Sequence, residues 1–142
     1  MTSRDDMLET IMRAYKAREE GNIEGLMATF HPNALFELKG DKRLLEVAGT
    51  VEGHANVRAA LSQFIEGFQF KKRDILDVII DGDRVAVHSR LEVSFVPNNK
   101  SFTSDVLNLF GFEDGKIIKL VEFTDTALIK NVVTAPPFGS EV

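Results

Sequence analysis

SFTSDVLNLFGFEDGKIIKLVEFTDTAL, residues 101–128, decides the fold. On both sides of EDG the apolar side chains recur at every second position, the period of a strand with one face in a core. Asp-Gly between two such runs marks a tight antiparallel turn. In the first run Val106, Asn108, Phe110 and Phe112 share one face, and Leu107 and Leu109 take the other. The amide among the apolar residues is conspicuous, because a buried amide without partners costs about 1–3 kcal/mol. Asn108 is therefore expected either in a structural network or at a ligand.

Working backwards, the same period holds at 70–80 and 84–96, and DGD and PNNK separate the runs. With the last strand read as 116–128, four long strands form an antiparallel meander. Ahead of them the period is helical. Met7, Leu8, Ile11, Met12 and Tyr15 make one stripe, opposite Arg13, Lys16, Glu19 and Glu20, and Gly21 stops the helix. Asn22 caps a second helix carrying Ile23, Leu26, Met27 and Phe30, with Pro32 beyond it. ALFEL at 34–38 reads as a short strand, followed by a polar loop. Val57, Ala60, Leu61, Phe64 and Ile65 then give a third helix. Three helices before four strands predict an α+β fold, with helices on one face of a curved antiparallel sheet.

Composition narrows the function. The 142 residues are 44% hydrophobic, which suits one domain spanning 1–142 with a core of its own. Seventeen Lys and Arg against 22 Asp and Glu leave a net charge of −5, and the largest basic cluster is Lys71, Lys72 and Arg73, so nucleic acid is not an expected partner. There is no cysteine, and His31, His54 and His88 lack close ligand spacing, so no metal is expected. No apolar run reaches membrane-spanning length, and the N-terminus is charged. A soluble, cytoplasmic protein follows as the expectation, with TAPPFGSEV at 134–142 as a loose tail or an oligomer contact.

The element order, together with MRAYKAREEGNIEGLMATFHPNALFE (12–37), GTVEGHANVRAAL (49–61) and DVLNLFGFEDGKI (105–117), resembles the SnoaL-like and ketosteroid isomerase-like proteins of the NTF2-like cone fold. The likeness runs from about Met7 to Leu128. It implies a sheet wrapped round the helices, a deep apolar pocket and a homodimer formed through the outer sheet face. It does not imply one chemistry, because a fold hosts many. Isomerases of this kind use a Tyr on the first helix, a position Tyr15 matches. Their base follows a Glu on the first strand, where FELKG offers Leu38, which abstracts no proton. Their protonated Asp falls at Asn108, whose amide donates without a raised pKa. Asn108 and Tyr15 are thus expected as two donors meeting one ligand oxygen, with Leu38, Phe110 and Thr124 as further ligand contacts.

Other acids must supply any chemistry. SnoaL-like cyclases and related epoxide hydrolases carry an acid near the end of the last strand, where FTD places Asp125, the first choice for acid or base. Alternation leaves the face open: Glu122 and Thr124 share one side, while Val121, Phe123 and Asp125 share the other. Glu122 is the reserve. Arg90 and Glu92 have the spacing of an epoxide hydrolase pair, but Val85, Val87, Leu91 and Val93 mark the opposite face as core, so both are expected on the surface with His88. His54 is expected to contact a helix end. Together these readings predict a cone that binds a small, mostly apolar, cyclic molecule. Its chemistry would be acid–base catalysis of isomerisation, cyclisation, dehydration or hydrolysis without metal or cofactor. The alternatives are a non-catalytic ligand binder and a dimeric assembly module.

Overall fold

The computed structural model describes residues 2–43 and 48–136. Helix α1 (Arg4–Glu20) begins at Ser3, whose hydroxyl accepts from the Asp6 N–H, and Asp5 and Asp6 lie in the first turn against the positive end of the helix dipole. It ends at Gly21, in the left-handed region at φ 70°. Its buried face is Met7, Thr10, Ile11, Ala14, Tyr15 and Ala17. Met12, assigned to the stripe from spacing, is instead 42% exposed, because it lies about 100° round the helix from Ile11.

Asn22 caps helix α2 (Ile23–Met27), which is shorter than the apolar spacing suggests. Phe30 does not continue it but opens strand β1 (Phe30–Leu38), which has Pro32 near its start, where the register to its neighbour also shifts. Strand β2 (Gly49–Glu52) then pairs antiparallel with β1 and leads into helix α3 (His54–Gly67). Four long strands follow: β3 (Phe68–Asp81), β4 (Arg84–Phe95), β5 (Lys100–Glu113) and β6 (Lys116–Phe123). The Asp114-Gly115 turn has positive φ at both residues, 54° and 75°, the geometry that suits the twist of a hairpin.

One six-stranded sheet results, in the order β2-β1-β6-β5-β4-β3. The fold is α+β as expected, with helices on one face of a curved, unclosed sheet. Besides Phe30, three details differ from the sequence expectation, the first being strand β2 in the stretch read as a polar loop. The sheet is not wholly antiparallel, since β1 runs parallel to β6, with Phe36 opposite Leu120 and Leu38 opposite Glu122. The last strand stops at Phe123, and Thr126–Val133 form a fourth helix, α4, capped by the Asp125 side chain at the Leu128 N–H. The core lies between the sheet and helices α1 to α3, around Ile11, Ala34, Val57, Val87 and Ile117. Phe36 and Phe64 meet edge to face at 5.9 Å, fastening α3 to β1. Of the tail, Thr134 to Pro136 follow α4, and 137–142 lie outside the described residues.

Candidate functional site

Strand pairing sets a row of inward residues across the sheet: Val87 opposite Asn108, Asn108 opposite Glu122, and Glu122 opposite Leu38. Alternation along β6 therefore turns Glu122 inward with Leu120, and places Phe123 on the outer face, 39% exposed. Above this row α1 presents Tyr15. Between helix and sheet lies an apolar cavity of about 100 Å³. Phenylalanines 30, 36, 64, 68, 70, 102 and 110 supply much of its wall. Its polar lining consists of Tyr15, Arg18, Arg73, Ser104, Asn108, Glu122 and Thr124.

Three of these form a chain. The Tyr15 hydroxyl donates to Asn108 Oδ1 at 2.8 Å, and Asn108 Nδ2 donates to Glu122 Oε1 at 3.0 Å. A carboxylate at Glu122 requires the amide to present nitrogen, which leaves oxygen towards Tyr15 and obliges the phenol to donate. The two donors expected to converge on one ligand oxygen are thus bonded to each other. Asn108 is buried, at 3% exposed, and both polar atoms of its amide are engaged by side chains. Glu122 is half-buried, and its Oε2 has no hydrogen-bond partner among the described residues. Burial pushes the Tyr15 phenol well above its ordinary pKa of 10; the Arg73 cation opposes the shift and the Glu122 charge adds to it. Tyr15 is accordingly a neutral donor and not a base.

Two arginines complete the site, and neither was among the candidates read from sequence. Arg73 lies flat on Tyr15, Cζ 3.6 Å from the ring centroid, with Nε on Glu19 Oε1 at 3.0 Å and Nη1 on Ser89 Oγ at 3.2 Å. Lys71 is the extra residue of a bulge between Phe70 and Lys72, and this inverts the alternation so that Arg73, opposite Leu91, points inward. Arg18 stacks on Phe70 at 3.7 Å, and its Nη2 donates to the carbonyls of Phe64 and Phe68 at 3.2 and 2.9 Å. Burial lowers its pKa to about 10, while the Glu122 charge pulls the other way. The Arg18 signal was present in the sequence, because residues 11, 14, 15 and 18 lie on one helical stripe.

Of the other expected site residues, Leu38, Phe110 and Thr124 line the cavity, with Phe110 edge-on to Tyr15 at 5.9 Å. Asp125 does not. It is exposed, and its carboxylate holds the first turn of α4, because the strand that was to carry it inward has already ended. Arg90 and Glu92 are on the surface as expected; Arg90 and His88 both bond Asp105 on the neighbouring strand, which holds that carboxyl below its usual range. His54 Nε2 meets the Met27 carbonyl at the end of α2 at 3.0 Å. His31, Glu113 and Asp114 come within metal-binding distance of one another. However, His31 Nδ1 accepts the Asn33 N–H, so in the neutral ring Nε2 keeps the proton and offers no lone pair to a cation.

Residues 11–120 match the SnoaL-like domain family. The chain belongs to that family. Among solved structures, this SnoaL-like chain resembles a provisionally assigned isomerase from Bacillus subtilis (13% identity, 94% of this chain and 96% of that one, TM-score 0.84). It also resembles a provisionally assigned SnoaL-like polyketide cyclase from Jannaschia sp. CCS1 (21%, 96% and 99%, TM-score 0.76). A third is an LEH-like epoxide hydrolase of M. tuberculosis (15%, 91% and 90%, TM-score 0.71). At these identities the likeness establishes the shared fold. No curated protein matches the chain. No helix among the described residues of this SnoaL-like protein is long and apolar enough to cross a membrane.

Proposed function

We propose that the cavity binds a small ring compound and that Glu122 moves a proton on it as general base and then general acid. The observation that carries this reading is the state of Glu122: one carboxylate oxygen is held by Asn108, and the other is unbonded at the wall of an apolar cavity. In the isomerases the chain resembles, the base would stand at Leu38. Here the carboxylate is one strand over on the same rung, since Leu38 lies opposite Glu122. A base on that rung serves the same cavity. Tyr15 and Asn108 act through Glu122: the phenol fixes the amide, and the amide fixes Oε1. The volume is about two-thirds of the ~150 Å³ apolar cavity that accommodates benzene, so it suits one ring, with a second fused ring extending towards the cavity's open side. That the related structures include an assigned isomerase, a cyclase and a hydrolase agrees with proton transfer as the shared step.

Solvent-deuterium exchange into 2-tetralone, followed by NMR, tests the role directly. The protein should accelerate exchange, Glu122→Gln should lower the acceleration by about 100-fold or more, and Asp125→Asn should not alter it. Equal rates for Glu122→Gln and the parent protein would overturn the assignment. Binding of the ketone without any acceleration would favour the non-catalytic binder.

The same reading has the chain as a homodimer through the outer sheet face. Ile79, Ala86 and Leu109 form one row across β3, β4 and β5, with Ile79 61% exposed and Leu109 39%, while Val121 at the β6 end of the row is already buried within the chain. Among the described residues the helices pack on the other face, so the β3 to β5 part of this row meets water unless a second copy covers it. Sedimentation at micromolar concentration should report about twice the chain mass of 15.8 kDa. A single species of the chain mass would remove the claim.

A further inference from the structure

We propose that the ligand is a flat ring compound carrying an ionised oxygen, a carboxylate or a ring enolate, and that Arg18 is the group that meets that oxygen. The proposal rests on the cavity reading above and adds the charge of its occupant. Arg73 and Arg18 both reach the cavity, but they are satisfied differently. Arg73 has a carboxylate, Glu19, together with Ser89 and the Tyr15 ring. Arg18 has no carboxylate at ion-pair distance among the described residues. Its hydrogen bonds to protein leave from one nitrogen, Nη2, to two neutral carbonyls. Among the described residues Nε and Nη1 have no hydrogen-bond partner, while Phe70 covers one face of the guanidinium.

Arg18 is half-buried, and a cation even partly withdrawn from water gains from being paired and hydrogen-bonded. An anionic oxygen in the cavity supplies what the protein withholds, through the two nitrogens left over. Glu122 lines the same cavity as a second charge and gives the reacting ligand an orientation, with the oxygen that receives the charge towards α1 and the acidic hydrogen towards β6. When Glu122 takes that hydrogen its own charge disappears, and the conjugate base of the ligand carries the negative charge that faces Arg18. The bond broken is the ligand's C–H or O–H, the bond formed is Glu122 O–H, and the electron pair stays on the ligand's conjugated oxygen. A stable anion therefore mimics the state in which Glu122 is protonated.

Benzoate and benzamide have nearly the same shape and differ in charge, so calorimetric titration with both tests the inference. The parent protein should bind benzoate more tightly. Glu122→Gln, which copies the protonated carboxyl, should widen the preference to tenfold or more, and Arg18→Gln should bring the two affinities within about twofold of each other. Equal affinities in the parent protein, or a preference that survives Arg18→Gln, overturn the proposal. Should Arg18→Gln fail to fold, Glu122→Gln still decides, because no gain for benzoate also overturns it. Equal binding of both probes removes the anion and leaves the ring-binding reading standing, whereas binding of neither removes both.

Discussion

Tyr15 is the chain's single tyrosine, and there is no tryptophan, so absorbance of tyrosinate near 295 nm reports on the cavity alone. Its folded pKa is raised above the ordinary value of 10 by burial. The folded state therefore holds this proton more tightly than the unfolded chain. The resulting stabilisation is complete below pH 10 and is lost as pH climbs towards the folded value. In urea the signal should rise with a midpoint near 10, while the native protein should stay silent there and ionise only higher, or together with unfolding. A native titration at the ordinary value would show the phenol to be open to water. Asn108 answers at the same scale. Its amide is engaged at both ends, so Asn108→Leu strands the Tyr15 hydroxyl and Glu122 Oε1 rather than removing an idle group. About 1–3 kcal/mol should be lost, seen as a clear fall in Tm, and an unchanged melt would mean that the bonds contribute nothing. Asn108 stands out of the sequence because it breaks an apolar pattern, and Tyr15 and Glu122 through the likeness to the isomerases and cyclases. Arg73 does not, because its direction depends on one extra residue in β3 that no local pattern announces.

At the scale of elements, sequence and structure part where one period gives way to another. KIIKLVEF reads as a strand, and carrying its two-residue period on to Leu128 passes over Asp125 followed by Leu128, Ile129, Val132 and Val133, which is a helix with its cap. The likeness to the cyclases puts Asp125 at the cavity, whereas its carboxylate caps α4 at the surface. In the structure α4 contributes Ile129 to the cavity wall. It is held at its far end by Asn98, whose Nδ2 donates to the carbonyls of Val132 and Ala135 at 2.7 and 3.0 Å. Asp125→Ala removes the near-end cap. It should cost about 0.5–2 kcal/mol in chemical denaturation, with exchange into 2-tetralone reduced only as far as α4 frays. A loss of exchange as deep as that of Glu122→Gln, with stability intact, would restore Asp125 to the chemistry.

For the molecule as a whole, the layering followed from the sequence because helical and two-residue periods occupy separate stretches of chain. The placement of the first strand did not. Nothing local to ALFEL says that it will run parallel to a strand beginning at Lys116, for that choice depends on how the sheet curves and which edge remains open. The same pairing governs the order of assembly. Strands β3, β4, β5 and β6 meet through tight turns and can zip in sequence, whereas Phe36 must wait for Leu120, so the strand pairing that closes a long loop is expected last. Pulse-labelled hydrogen exchange should find β4 and β5 amides protected before those of β1, and early protection of β1 would contradict this. On that order Leu38, Glu122 and Tyr15 should come together after the folding barrier. A compound that fits between them should leave the refolding rate unchanged and slow unfolding alone, acting on the lifetime of the finished molecule and not on its birth.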